Sequence, residues 1–182
     1  MINEVKRNLN ILDYTLINFI NLDDSQKNRV LSWRNNSSVR EWMYTDHIIS
    51  PDEHNRFLTG TIDEEINFYW VVIKDEIELG VLSINRVDWK NKNAYLGLYR
   101  NPDCKIQDVG KILIKLTQTI VFDLMQFNTL KLEVIEGNRI ISIYKRSGFR
   151  EEGVLREFVY KNDEYVNVIV MGILKKEYES RK

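Results

Sequence analysis

The chain has 182 residues, of which 43% are hydrophobic and 29% charged, and it contains only 2 Pro. That composition excludes a disordered chain and suits one domain with a sizeable core. A net charge of −1 offers no global attraction to nucleic acid or to an anionic membrane, so any basic site must be local.

Cys104 is the single cysteine, so no intrachain disulfide can form. With 2 His in the chain and no CxxC or HExxH spacing, no metal site is expected. Glu4, Lys6 and Arg7 near the amino terminus are not followed by a long apolar run. Neither a signal peptide nor a membrane span is expected there, and the expectation is a soluble, cytoplasmic protein.

In chain order, Asp24 to Asn35 reads as a helix with Val30, Leu31 and Trp33 inward. Asn36 to Tyr44 suggests a second short helix and a loop. Ser50-Pro51-Asp52-Glu53 predicts a helix start, with Ser50 as cap, Pro51 in the first turn and Glu53 closing a capping box. That helix should run to about Gly60. Asn67 to Lys74 reads as a strand, Asp75-Glu76 as a turn, and Leu79 to Val87 as the hairpin partner. Asn93 to Arg100 is a further central strand, stopped by Asn101-Pro102-Asp103. Gly110 to Gln126 carries Ile112, Leu113, Leu116, Ile120 and Leu124 at helical spacing. Thr129 to Glu136 reads as a strand with Leu130, Leu132 and Val134 on one face and Glu133 on the other. A short helix to Ser147 precedes a final hairpin, Phe149 to Tyr160 and Tyr165 to Leu174, turning at Lys161-Asn162-Asp163. The layout is mixed α/β (α+β) in a single domain covering the whole chain.

The segment Asn138 to Phe149, Asn-Arg-Ile-Ile-Ser-Ile-Tyr-Lys-Arg-Ser-Gly-Phe, carries the chemistry. It resembles the carboxy-terminal motif of the GNAT superfamily of acetyl-CoA-dependent N-acetyltransferases, Asn-Arg-Ala-Ile-x-Leu-Tyr-x-Lys-x-Gly-Phe, with Ile140 in place of the Ala. The element order agrees with that superfamily along nearly the whole chain. The resemblance implies a GNAT fold: a central mixed, mostly antiparallel twisted sheet, splayed into a V between its two central strands and flanked by helices. It implies acetyl-CoA as cosubstrate, with no metal. Leu98, Tyr99 and Arg100 would line the pantetheine arm, and Asn138 would contact it. Lys105, Gln107, Asp108, Val109, Gly110 and Lys111 would form the pyrophosphate loop, with Arg146 also near the cofactor.

Asp108 stands where the superfamily usually has Gly. Its carboxylate would repel phosphate if it pointed inward, or it could cap the following helix. Tyr144 would protonate the leaving thiolate of coenzyme A, since a neutral phenol can donate to that developing charge. On residue pattern alone, a packed core tyrosine beside Ile140, Ile141 and Ile143 is the favoured reading of Tyr144. Glu133 is the candidate base, directly or through water, and its alternative is a salt-bridged strand residue. No Ser-His-Asp or Cys-His constellation is legible, so direct transfer in a ternary complex is expected.

Trp33-Arg34-Asn35, Val39-Arg40-Glu41-Trp42-Met43-Tyr44 and His54 resemble the N-acetyltransferases of pseudaminic acid biosynthesis. The likeness extends through Gly80 to Ile84 and Ala94 to Tyr99. These enzymes acetylate the 4-amino group of a UDP-linked 4-amino-4,6-dideoxy sugar that feeds flagellin glycosylation. The resemblance implies an acceptor site from Arg34, Trp42, Met43, Tyr44, His54, Asn85, Arg86 and Tyr95. Aromatic faces can stack uracil and a guanidinium can grip a diphosphate. Against this, Trp42 and Met43 could be core, Arg34 could sit in a surface ion pair, and His54 could be structural. Glu152 to Glu157 and Tyr165 to Gly172 are also similar to ribosomal-protein N-terminal acetyltransferases, the runner-up, and a non-catalytic acyl-CoA sensor is a third reading. An extended edge in the final hairpin would suit a homodimer.

Overall fold

The strand Phe68–Lys74 is apolar on both faces because both faces are covered. Phe68, Trp70 and Val72 point into one core cluster, Tyr69, Val71 and Ile73 into another. This is the pattern of a sheet sandwiched between helical layers. The computed structural model describes residues 2–182. A short helix α1 (Ile2–Val5) leads into the hairpin β1 (Leu9–Ile11) and β2 (Tyr14–Asn18). Helices α2 (Asp24–Asn35), α3 (Ser37–Arg40) and α4 (Pro51–Gly60) follow. Then come β3 (Phe68–Lys74), β4 (Ile77–Asp88) and β5 (Asn93–Arg100). Helix α5 (Val109–Gln118), β6 (Thr129–Ile135), α6 (Ile141–Arg146), β7 (Arg150–Lys161), β8 (Glu164–Leu174) and α7 (Lys175–Glu179) complete the chain.

Among the described residues the strands form one eight-stranded sheet in the order β1-β2-β3-β4-β5-β6-β8-β7. All neighbours are antiparallel except β5 and β6. That parallel pair holds register only over Asn93↔Thr129, Ala94↔Leu130 and Tyr95↔Lys131. Beyond Tyr95, β5 keeps its β4 partner as far as Arg100, while β6 pairs only with β8. The two central strands therefore diverge into a V whose inner edge on β5 has no strand partner.

Helix α5 seals one face. Leu113, Ile114 and Leu116 are buried there with Trp70, Leu82 and Ile84. The helix expected to continue to Gln126 changes at Thr119 into a π-helical segment, Thr119–Leu124, which still buries Ile120 and Phe122. On the other face α2 and α4 set Val30, Trp33 and Leu58 against Val71 and Val81, whereas Leu31 is only partly buried.

Helices α2 and α4 start where expected, but the capping box expected at Ser50 does not close. Ser50 accepts from the Glu53 amide at 3.2 Å, but the Glu53 carboxylate meets His47 Nε2 at 3.1 Å instead of closing the box. The reciprocal capping box lies at α2, where Asp23 accepts from the Gln26 amide and Gln26 accepts from that of Asp23. The hairpin β1–β2 was not foreseen. It turns at Leu12, whose φ of 56 is unusual for a non-glycine residue.

Candidate active site

Strand β6 alternates as its sequence dictates. Leu130, Leu132 and Val134 enter the core under α5, which turns Glu133 to the opposite face. There Glu133 accepts a hydrogen bond from the Tyr44 hydroxyl at 2.8 Å and another from Arg86 Nη2 at 2.8 Å. Arg86 stands at a β-bulge near the end of β4 with φ of 49, and its guanidinium lies 3.5 Å from the centroid of the Tyr95 ring. Four candidates dispersed over 89 positions of sequence thus form one cluster.

The cluster lies in a cleft of about 840 Å³ that also contains Arg34, Trp42, Met43, His54, Asn85, Leu98 and Tyr99. All eight residues proposed for the acceptor line this one space. Trp42 is 37% exposed and Tyr44 43%, so neither is core. Asn85 donates to Ser83 Oγ at 2.9 Å on the cleft floor. His54 is buried, and its Nε2 lies 3.1 Å from the Lys27 carbonyl, which ties α4 to α2. Burial holds its pKa below the ordinary 6.5, so the ring is neutral at pH 7 and Nε2 carries the proton it donates to that carbonyl. Burial also raises the phenol of Tyr44, with the Glu133 carboxylate adding to the rise, so Tyr44 remains the donor in that pair.

Arg34 is the electrostatic exception. Its Nη1 is enclosed by protein yet has no hydrogen-bond partner, the sole such side-chain atom among the described residues. Burial depresses its pKa, against the pull of Tyr99 and Glu53. Among the described residues it has no ion-pair partner. Several wall residues carried no recognisable sequence signal: Phe19, Phe57, Tyr69 and Phe158. Phe57 meets Tyr69 edge-on at 5.1 Å, and burial pushes the Tyr69 phenol up to about 12.

The V and its loop make the second half of the site. Leu98, Tyr99 and Arg100 occupy the β5 stretch that β6 has left. The Arg100 guanidinium turns back on the carbonyls of Asn101 and Cys104, bracing the turn that leads to the loop. Lys105, Gln107 and Lys111 are exposed, and Val109 is buried at the start of α5. Lys105 faces a different groove, shared with Arg29 and Glu78. Asp108 occupies the N-cap position in the left-handed conformation, with φ of 58. Its side chain caps nothing, correcting that expectation, and is 63% exposed in an ion pair with Lys111 at 3.1 Å. The usual Gly at this position is explained by the backbone angle, which Asp tolerates better than most residues.

At Gly110 a Cβ would lie 3.9 Å from Ile140 and Ile143, so α5 begins close against α6. Asn138 Oδ1 accepts from the Ile140 amide at 3.0 Å and opens that helix. Tyr144 is buried on α6 with its ring edge-on to Phe149 at 5.8 Å. Among the described residues its hydroxyl makes no hydrogen bond. It is not an enclosed orphan either, so the oxygen reaches accessible space. Burial raises its pKa, which keeps it a proton donor. Arg146 lies exposed at the end of α6, where its carbonyl accepts from Arg181.

A V between two parallel strands, a loop feeding a helix N-terminus and a buried tyrosine on the next helix recur in known proteins. The family "Acetyltransferase (GNAT) domain" matches residues 17–170. This chain belongs to the GNAT acetyltransferases. It is 29% identical to Acetyltransferase PseH of Campylobacter jejuni serotype O:2 over 146 residues, 80% of this chain and 90% of that one. It is 31% identical to PseH of C. jejuni serotype O:23/36 over 135 residues, 74% and 83% of the two chains. Among solved structures, Vibrio cholerae spermidine N-acetyltransferase in complex with CoA and spermine superposes with a TM-score of 0.83. That likeness covers 92% of this chain and 98% of the other at 21% identity, and it speaks to the fold alone. The protein is an N-acetyltransferase of PseH-like sequence. No helix in the described residues is long and apolar enough to cross a membrane.

Proposed function

We propose that the protein transfers acetyl from acetyl-CoA to the 4-amino group of UDP-4-amino-4,6-dideoxy-N-acetyl-β-L-altrosamine, in the pathway to pseudaminic acid. The observation that carries this reading is the orphaned Arg34 Nη1 in the aromatic-rimmed cleft. A desolvated guanidinium nitrogen without a partner is costly, and an anionic ligand group would complete it. A diphosphate meets that need, and Trp42, Tyr44 and Phe158 supply faces for a base. The cleft's carboxylates are already engaged, Glu133 by Tyr44 and Arg86, and Glu53 by His47. The unmet charge is positive, which favours an anionic acceptor over a polyamine.

The V beside β5 and the start of α5 suit pantetheine and pyrophosphate, since free backbone groups and a helix N-terminus both bind such ligands. The amine must lose a proton as it attacks, and Glu133 is the carboxylate facing the cleft. Tyr144, held protonated, would return a proton to the leaving thiolate. Strand β7, at the sheet edge, suits pairing with a second copy in a homodimer.

The test is acetyl-CoA-dependent thiol release with three acceptors in parallel: the UDP-4-amino sugar, ribosomal amino-terminal peptides and spermidine. Release with the UDP sugar alone is expected. Release with peptides or spermidine alone would replace the reading.

A further inference from the structure

Lys161 is 6% exposed, yet among the described residues no carboxylate pairs with it. Its ammonium donates instead to two backbone carbonyls far away in sequence, Arg40 at 3.0 Å and Met43 at 2.6 Å. These carbonyls lie at the C-terminal end of the turn that extends α3, where Met43 N still bonds the Arg40 carbonyl at 3.1 Å. Carbonyls at a helix end carry partial negative charge and have spare acceptor capacity, so a lysine there fits both charge and geometry. Glu41 and Asp46 add a more distant favourable field, while Arg34 and Arg40 oppose it.

The post that carries Lys161 is a tight hairpin end. It is the last residue of β7, paired with Glu164 across a tight turn whose Asn162 and Asp163 both have positive φ. Tyr160 packs on Tyr165 at 5.0 Å beside it. Three residues earlier, Phe158 meets the Tyr44 ring edge-on at 6.3 Å. The loop after α3 carries Trp42, Met43 and Tyr44 into the cleft, where the Tyr44 side chain is tied to Glu133 and Phe158 while the backbone at Arg40 and Met43 is held by Lys161.

We infer that Lys161 is a positioning residue: by clamping the Arg40 and Met43 carbonyls, the β7–β8 hairpin holds the Trp42–Tyr44 loop in the geometry that binds the acceptor. The inference rests on the reading of this cleft as the acceptor site. Lys161 itself touches no reacting atom. On the proposed reading acetyl-CoA would be held by the V beside β5 and by the start of α5, neither of which the clamp touches, so its binding should be independent of the clamp.

The experiment compares Lys161→Met and Lys161→Arg with the native chain by amide hydrogen exchange and by steady-state kinetics. Lys161→Met should speed exchange at residues 41–46 and raise KM for the UDP-4-amino sugar by roughly ten- to a hundredfold, the value of charge-assisted bonds to a carbonyl. KM for acetyl-CoA should be unchanged, and Lys161→Arg should recover much of the loss. Unchanged exchange in Lys161→Met would overturn the clamp while leaving the cleft assignment intact. Faster exchange with an unchanged acceptor KM would overturn the cleft as acceptor site, and the inference with it. A parallel rise in both KM values, without rescue by Arg, would reduce Lys161 to a general stabiliser and also overturn the inference.

Discussion

Tyr44 donates its hydroxyl to Glu133 at 2.8 Å, joining the loop after α3 to the middle of β6. The same carboxylate takes Arg86 from the bulged end of β4. On the proposed reading, Glu133 would meet an incoming amine as a carboxylate already oriented by two donors. Replacing Tyr44 with Phe keeps the ring and its contact with Phe158 but removes one donor. A neutral phenol bonded to a carboxylate contributes about 1.5–3 kcal/mol, so KM for the acceptor should rise about ten- to a hundredfold. Thermal stability should fall too, by less than a fully buried bond would cost, because Tyr44 is 43% exposed. Steady-state kinetics at saturating acetyl-CoA, with a melting curve alongside, checks both parts.

Tyr144 is packed by its ring and free at its oxygen. Loss of that oxygen in Tyr144→Phe breaks no protein hydrogen bond, so the fold and acetyl-CoA affinity should persist. Turnover should fall by about 10²–10⁴, the range for a positioned general acid. Calorimetric titration with acetyl-CoA and a thiol-release assay separate the two. Turnover that survives intact would remove Tyr144 from the chemistry.

Much of this arrangement was legible because it is set by local rules. Strand β5 begins and ends where Asn93 and the Asn101-Pro102 stop predict, and the alternation of β6 puts Glu133 on the open face. The motif from Asn138 to Phe149 marks a helix start, the buried Tyr144 and the return to a strand. What escaped depends on contacts between distant segments. The β1–β2 hairpin is three and five residues long and turns at Leu12, a residue with no turn preference. Its pairing with β3 stabilises it, and that pairing is invisible locally. Lys161 reads as turn punctuation until the chain brings the Arg40 carbonyl to it. Phe57, Tyr69 and Phe158 look like ordinary strand and helix residues until they converge on one wall.

On the proposed reading, Arg34 couples function to instability. An enclosed guanidinium nitrogen without a partner lowers the stability of the unliganded protein. Arg34→Met keeps the length and apolar stem while removing the buried charge. The unliganded variant should melt higher than the native chain, or at least no lower. UDP should raise the melting temperature of the native protein and have little effect on the variant. Differential scanning calorimetry with and without UDP measures both, and a variant that melts lower yet still responds to UDP would contradict the assignment of Arg34.

His54 gives a pH prediction with a definite sign. Its folded pKa lies below the ordinary 6.5 because burial disfavours the charged ring. As pH falls below 6.5 the unfolded chain takes up the proton before the folded one does, so stability is lost through the window down to the lowered folded value. Above 6.5 the contribution is fully present. His54→Gln should therefore flatten the acid side of the stability profile while leaving its neutral plateau lower, since the bond to the Lys27 carbonyl weakens. Urea titrations at a series of pH values show whether the slope belongs to this residue.

Asp108 tests why an acidic residue is tolerated in the loop proposed to bind the cofactor's phosphates. Its backbone sits at φ 58, and its carboxylate leans out to Lys111. Two substitutions separate backbone from charge. Asp108→Ala keeps a Cβ in the left-handed region without the local hydrogen bonding that helps Asp there, and should cost about 1 kcal/mol of stability. Asp108→Gly relieves the backbone and should be neutral or stabilising. Both variants free Lys111 from its partner and remove a negative charge beside the start of α5. KM for acetyl-CoA should therefore fall for both, and the fall should shrink as salt is raised, because exposed charges are screened. If the two variants instead differ in KM as they do in stability, then the loop's shape, and not its charge, governs how this site receives the cofactor.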